Sequence, residues 1–240
     1  MSKPSLAALV VAAALVAAVS AHAAPAVPDD ARLVNYAIPA DILTDFHGGI
    51  QGFMGDRNVK DDFGIASEMN VRRINAYLGY DVWRWISIYA IGGVMSVKDN
   101  DIGLDDDTAF LFGAGLWAAL IDDAQLDFLS TISRYRLNFG LEVSYSDPND
   151  LAWTQFDASL TFGIYNDSFL SDAKFPTAIG IFAGPIFSTV DLDGYKQVKD
   201  NEWGFTVGGE MRFANGVYVA GGADIFNDDN IGYFQAGVRF

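Results

Sequence analysis

The chain has 240 residues, with 15 Lys and Arg against 31 Asp and Glu, for a formal net charge of −16. With 51% hydrophobic and 14% aromatic residues it is too apolar for a disordered chain. The acid excess argues against nucleic acid as a partner, because phosphate binding needs a basic footprint. The absence of cysteine excludes a disulfide scaffold and thiolate metal sites.

Residues 1–23 read as a secretory signal peptide. Lys3 supplies a positive charge, Leu6 to Val19 is an unbroken run of Leu, Ala and Val, and Ser20-Ala21-His22-Ala23 offers an A-x-A cleavage site. The run is shorter than the roughly 20 residues a transmembrane helix needs, and Pro25 and Pro28 stop it. Cleavage after Ala23 leaves 14 basic and 31 acidic residues, a charge of −17, and one histidine, His47.

From there the chain alternates with period two, the signature of strands with one apolar and one polar face. The segments, in chain order, are 44–55, 66–82, 86–97, 108–121, 130–146, 151–166, 177–190, 202–213, 217–226 and 231–240. In the fifth, Tyr135, Leu137, Phe139, Leu141, Val143 and Tyr145 oppose Arg134, Arg136, Asn138, Gly140, Glu142 and Ser144. The sixth sets Phe156, Ala158, Leu160, Phe162 and Ile164 against Gln155, Asp157, Ser159, Thr161 and Gly163. Tight connections follow even segments (83–85, 214–216), and longer acidic ones follow odd segments (98–107, 191–201). Two connections, 147–150 and 166–176, depart from that rule. The expected fold is all-β, an up-and-down antiparallel transmembrane β-barrel of ten strands. If 86–97 and 177–190, apolar on both faces, merge with their neighbours, the number is eight.

Charge placement separates a membrane barrel from a soluble one. The charged residues on the polar faces are Arg73, Asp81, Arg134, Arg136, Glu142, Asp157, Glu210, Arg212, Asp224 and Arg239, five basic and five acidic. A solvated exterior has no reason to be neutral while the connections carry all the excess acid. An enclosed lumen has one, because each charge taken from water needs a partner. Gly140, Gly163, Gly208, Gly222 and Gly237 leave room in that lumen for Arg and Tyr from across the barrel. The alternative is a soluble barrel with its apolar rows inside. Tyr80, Trp83 and Trp85 at one tight turn, with Tyr145, Trp153 and Trp203 toward the other end, suit two interfacial girdles.

The last strand ends on an aromatic residue, Phe240, with Val238, Ala236 and Phe234 in phase. This resembles the C-terminal assembly signal of small Gram-negative outer-membrane barrels of the OmpA-like or porin family. The resemblance covers the chain from about Leu43. It implies residence in the cell outer membrane, handling by the barrel-assembly machinery, and lipid and lipopolysaccharide as surroundings. The chain then divides into a signal peptide (1–23), an N-terminal periplasmic segment (24–42) and the barrel (43–240).

Chemistry is sparse. His47 precedes Gly48-Gly49-Ile50 with no Ser beside it, and reads as a lumenal polar residue rather than a general base. No cofactor and no catalytic or metal site is expected. The acidic stretches Asp99–Asp107 and Asp191-Leu192-Asp193-Gly194 are at most weak divalent-cation sites, and a solvated loop face is the simpler reading. The function expected is therefore not enzymatic. It is a structural or interaction barrel with an Arg–carboxylate lumen, the alternatives being a narrow solute channel and an acidic-loop adhesin or receptor. Deleting Phe240 is expected to lower the amount of barrel in the membrane while leaving the stability of assembled protein nearly unchanged, as read by heat-modifiability on gels.

Overall fold

The computed structural model describes residues 46–61, 64–83, 85–99, 104–126, 132–148, 151–167, 176–192, 195–198, 202–213 and 216–239. The signal peptide, the segment 24–42 and Phe240 lie outside them. Eleven strands form: β1 (Phe46–Asp61), β2 (Ala66–Trp83), β3 (Ile86–Asp99), β4 (Leu104–Leu126), β5 (Ile132–Ser146), β6 (Trp153–Asp167), β7 (Pro176–Leu192), β8 (Tyr195–Gln197), β9 (Trp203–Phe213), β10 (Val217–Phe226) and β11 (Asn230–Arg239).

Ten of them close an up-and-down antiparallel barrel. Each pairs with the next, β7 passes to β9, and β11 returns to β1, from His47 opposite Arg239 to Gly55 opposite Ile231. The two segments that are apolar on both faces are full strands, β3 and β7, so the eight-strand arrangement is excluded.

The facing follows the alternation, and the barrel is inside out relative to a soluble one. Phe110 is 70% exposed, Ile181 67% and Met54 61%, whereas Arg136, Glu142 and Asp157 are 1%, 0% and 0% exposed. Outward apolar rows span residues 74–82 on β2, 156–164 on β6 and 179–187 on β7. Each row spans nine residues, which fits the roughly 9–11 with which a tilted strand crosses a bilayer. Trp83 and Trp85 stack at 6.0 Å on the exposed face of the β2–β3 turn, and Phe46 packs on Tyr80 at 5.0 Å, which places rings at one edge of the apolar belt. Trp203 is exposed at the other end, but Trp153 is not in a girdle. It shares the phase of Gln155 and Asp157 and is buried in the lumen.

The strands on the β1–β7 side run past the belt. β1 continues to Asp61 rather than ending near residue 55, and β4 begins at Leu104, taking in Asp105–Asp107. The acidic stretch 98–107 is therefore mostly two strand ends, and the long connections expected after odd strands are largely replaced by extended hairpins. Beyond the belt the polarity reverses. Val59, Met69 and Val97 point inward and are buried, while Lys60, Glu68 and Lys98 are exposed outside. β9, β10 and β11 are short, at 11, 10 and 10 residues, against 23 for β4. The short β8, inside what the sequence suggested was loop, bridges the difference by pairing with β7 (Leu192 opposite Tyr195) and with β1 (Val59 opposite Gln197). Gln197 Oε1 accepts from the Val190 amide at 2.9 Å and fastens β8 to β7.

Lipid-facing side chains in the middle of the belt should tolerate charge least. Phe162→Arg or Leu141→Arg is expected to destabilise the barrel by roughly 2–4 kcal/mol, and Thr154→Arg, just past the belt edge, by about 0–1 kcal/mol. Reversible unfolding in lipid vesicles measures both.

Candidate functional site in the barrel lumen

Inward-facing residues build three tiers, ordered from the end that holds Phe46 and Arg239. In the first, Arg239 of β11 pairs with Asp81 of β2, reaching across β1 and the seam where first and last strands meet. His47 Nε2 lies 3.7 Å from Asp81 Oδ1 and is hydrogen-bonded to Ser87 Oγ at 2.5 Å. The imidazole fits because its cross-strand partner is Gly79, where a Cβ would stand 2.2 Å from His47 Cε1. On the opposite wall Arg212 pairs with Glu210, and Asp122 lies 3.3 Å from Arg136 Nε and 3.5 Å from Arg134 Nη1. The Tyr165 ring has Arg136 and Arg212 at 5.2 and 5.4 Å from its centroid, within cation–π range. Gly180 opposite it leaves that ring its place.

Tyr77, Tyr89, Trp117 and Tyr218 separate this tier from the second, with the Tyr77 and Tyr218 hydroxyls hydrogen-bonded to each other. In the second tier Arg73 donates to Glu142 and to Ser144 Oγ (3.2 Å), and stands 4.2 Å from the centroid of Phe53. Tyr89 donates to the other Glu142 oxygen at 3.3 Å. Arg57 donates to Ser188 Oγ at 2.6 Å, lies 3.8 Å from Asp229 Oδ2, and sits 4.7 Å from the Phe226 ring. Ser188 passes a hydrogen bond on to Asp157, which also accepts from Gln155 Nε2 at 2.9 and 3.0 Å. Asp224 is fully buried on β10 and, with Asp157 and Asp229, surrounds Arg57 with negative charge.

The third tier is apolar. Val59, Met69, Met95, Val97, Leu111, Trp153, Val190 and Leu192 are all buried, and Leu151 and Tyr195 pack against them. Inward residues of β3 and β7 contribute here, which is why those strands look apolar on both faces.

All ten charged residues singled out in the sequence face the lumen: Arg73, Glu142, Asp157 and Asp224 in the second tier, and Asp81, Arg134, Arg136, Glu210, Arg212 and Arg239 in the first. Three more charges join them. Arg57 went unnoticed because it lies past the expected end of the first strand. Asp122 was hidden by a register shift between Ala119 and Ile121, which turns it inward beside Arg136. Asp229 sits in the β10–β11 turn and was indistinguishable from a solvated turn residue. There, burial pushes its carboxyl above the usual carboxylate range, against the hydrogen bonds from Asn58 and the charge of Arg57. Ser87 was missed as the partner of His47, because only the β1–β2–β3 register brings them together. Phe234 is exposed on the outer face of β11, in phase with Val238.

The chain has the construction of an outer-membrane β-barrel: ten strands, an apolar exterior, a polar lumen and both described ends at one rim. No family model and no curated protein matches the sequence. Among solved structures it is similar to LpxR from Salmonella typhimurium (12% identity over 81% of this chain and 99% of that one, TM-score 0.39). It is also similar to an outer membrane channel from Pseudomonas putida F1 (10%, 85% and 99%, TM-score 0.37). A third is the translocator domain of the autotransporter NalP from Neisseria meningitidis (10%, 87% and 92%, TM-score 0.36).

Removing one member of a buried ion pair strands its partner. Glu142→Leu is expected to cost roughly 3–5 kcal/mol by leaving the Arg73 guanidinium uncompensated. The double variant Arg73→Met/Glu142→Leu should recover most of that loss, as a double-mutant cycle of urea unfolding would show.

Proposed function

We propose that this protein is a structural or interaction barrel of the outer membrane whose lumen passes no solute, so that its contacts are made by its outer surfaces and rims. The observation that supports this reading is the occupancy of the lumen. Trp117, Trp153, Arg57, Arg136, Tyr165 and Tyr218 are each less than 2% exposed, spread over all three tiers. A conducting pore keeps its lining groups hydrated and its ions weakly held. Here the guanidinium groups are engaged by carboxylates, hydroxyls and ring faces, and an apolar tier lies across the axis beyond them. A narrow channel would require both arrangements to give way together.

A non-catalytic role belongs to the same proposal. Ser87 and His47 have the identities of a nucleophile and its base, but the arrangement is not that of a charge-oriented dyad. In such a dyad the carboxylate holds one imidazole nitrogen while the serine meets the other. Asp81 and Ser87 both approach Nε2. Asp81 is moreover committed to Arg239 across the barrel seam.

Planar-bilayer recording of the purified barrel tests the proposal. Wild type is expected to show no steady openings, and Arg57→Ala/Trp153→Ala, which thins the second and third tiers together, to show them. Steady single-channel currents from the wild type would overturn it in favour of a channel.

A further inference from the structure

The described basic residues divide sharply by position. Six face the lumen, and all six are arginine. The other four, Lys60, Arg72, Lys98 and Lys196, are exposed outside the barrel. All four lie at the β8 end, on the contiguous strands β8, β1, β2 and β3. Lys60 stands directly opposite Lys196, and Lys98 opposite Asn70. Lys196 also faces Asp191 across the β7–β8 ladder, whereas Lys60, Arg72 and Lys98 face no carboxylate across theirs, and like charges opposed in a ladder weaken pairing.

Its height is as specific as its position. On β2, Arg72 is the next outward residue after Ile74, the last apolar one in its row. On β3, Lys98 follows Val94 and Ser96 outward, and on β1 Lys60 lies beyond Met54, Asp56 and Asn58. The cations therefore begin at the belt edge and climb away from it, through the depth that lipid headgroups occupy. Among the described residues, neither Lys60, Arg72 nor Lys98 has a carboxylate at ion-pair distance, and Arg72 makes one side-chain bond, to Asn70 Oδ1 at 3.2 Å. Of the acids on the same outer faces, Asp56 accepts from Asn70 at 2.8 Å and Glu68 is exposed. The other charges at this end of the barrel are acidic: Asp61, Asp99 and Asp105–Asp107 in the strand ends of β1, β3 and β4, and Asp147, Asp191, Glu202 and Asp228 around the rest of the rim.

We propose that Lys60, Arg72 and Lys98 form a docking surface for the phosphate groups of anionic lipid in the adjacent leaflet. The inference rests on the membrane reading given above and adds to it a partner and a place. A lipid, unlike a free anion, presents its phosphate at a fixed depth next to the belt, which is where the three cations are arrayed. Each cation next to a membrane surface strengthens attraction to anionic lipid about fivefold.

Native mass spectrometry of the full barrel released from micelles holding equal phosphatidylglycerol and phosphatidylcholine provides the test. Wild type should retain phosphatidylglycerol in preference. Lys60→Gln/Arg72→Gln/Lys98→Gln should lose about tenfold or more of that preference, and Lys60→Arg/Arg72→Lys/Lys98→Arg should keep it. Each variant's heat-modifiability in phosphatidylcholine alone reports whether it is folded. An unchanged preference in the folded glutamine variant would overturn the proposal, as would displacement of the lipid by inorganic phosphate at the same concentration, which would mark a free-anion site. Failure of the wild type to enter phosphatidylcholine bilayers at all would overturn the membrane reading and this inference with it.

Discussion

A charge enclosed in a lipid-sheathed cylinder must be neutralised within the lumen, because neither the wall nor the surroundings supply water to do it. That constraint organises the interior. The outward row of every strand is apolar through the belt, so every charge those strands carry is turned inward. Compensation then comes partly from strands far apart in sequence, as in Arg73 with Glu142 or Arg239 with Asp81, and partly from close neighbours, as in Arg212 with Glu210 and Arg136 with Asp122. It also explains why the lumenal cations are arginines. One planar guanidinium serves two acceptors and a ring face at once, as Arg73 does with Glu142, Ser144 and Phe53. A lysine ammonium is a more strongly hydrated point charge, and here lysine is found among the described residues only on the exposed outer rim.

At the edge of the belt the solvent outside changes from lipid to water, and the preferred facing changes with it. The same strands continue with Val59, Met69, Val97 and Leu192 inside and Lys60, Glu68, Lys98 and Asp191 outside, the pattern of a soluble barrel. Two kinds of core are thus stacked along one axis, an ion-paired one within the membrane and an apolar one beyond it. β8 belongs to this second part. β9 to β11 stop near the belt edge, and β8 replaces them as the link between β7 and β1, holding Tyr195 against the apolar tier.

The membrane-embedded part was legible in the sequence because its rule is simple. In 134–146, 155–164 and 203–213 the apolar phase is the lipid phase, and the structure keeps it throughout. Interior glycines were legible too: Gly163 faces Tyr165, Gly208 and Gly222 face the Tyr233 hydroxyl, and Gly237 faces Tyr77 and Tyr218. The part beyond the belt was not legible, and reversed polarity is the reason. Asp56-Arg57-Asn58-Val59-Lys60-Asp61 has polar residues where the lipid phase would demand apolar ones, so it reads as loop although it pairs with β2 along its length. Trp153 was misplaced for the same reason, since a ring near a strand end suits either a girdle or an interior. Asp122 and Ser87 needed register, the first through a bulge and the second through two ladders, and register is set by pairing that a single sequence does not display.

The two ionic tiers are not equivalent in charge, and their surroundings account for the difference. The first holds Arg134, Arg136, Arg212 and Arg239 against Asp81, Asp122 and Glu210. The second holds Arg57 and Arg73 against Glu142, Asp157, Asp224 and Asp229. The first opens toward one mouth, where Arg239, Arg212 and Asp122 keep some exposure, so water screens its surplus positive charge. The second lies between an aromatic layer and an apolar tier, and its surplus of carboxylates has no such access. Asp229 is the member placed to relieve it. It sits in a turn rather than on a membrane-crossing strand, and burial already favours its protonated form. Its hydrogen bonds from Asn58 and its approach to Arg57 are separate from the Arg73–Glu142 and Ser188–Asp157 contacts, so a change of charge at Asp229 would leave those in place.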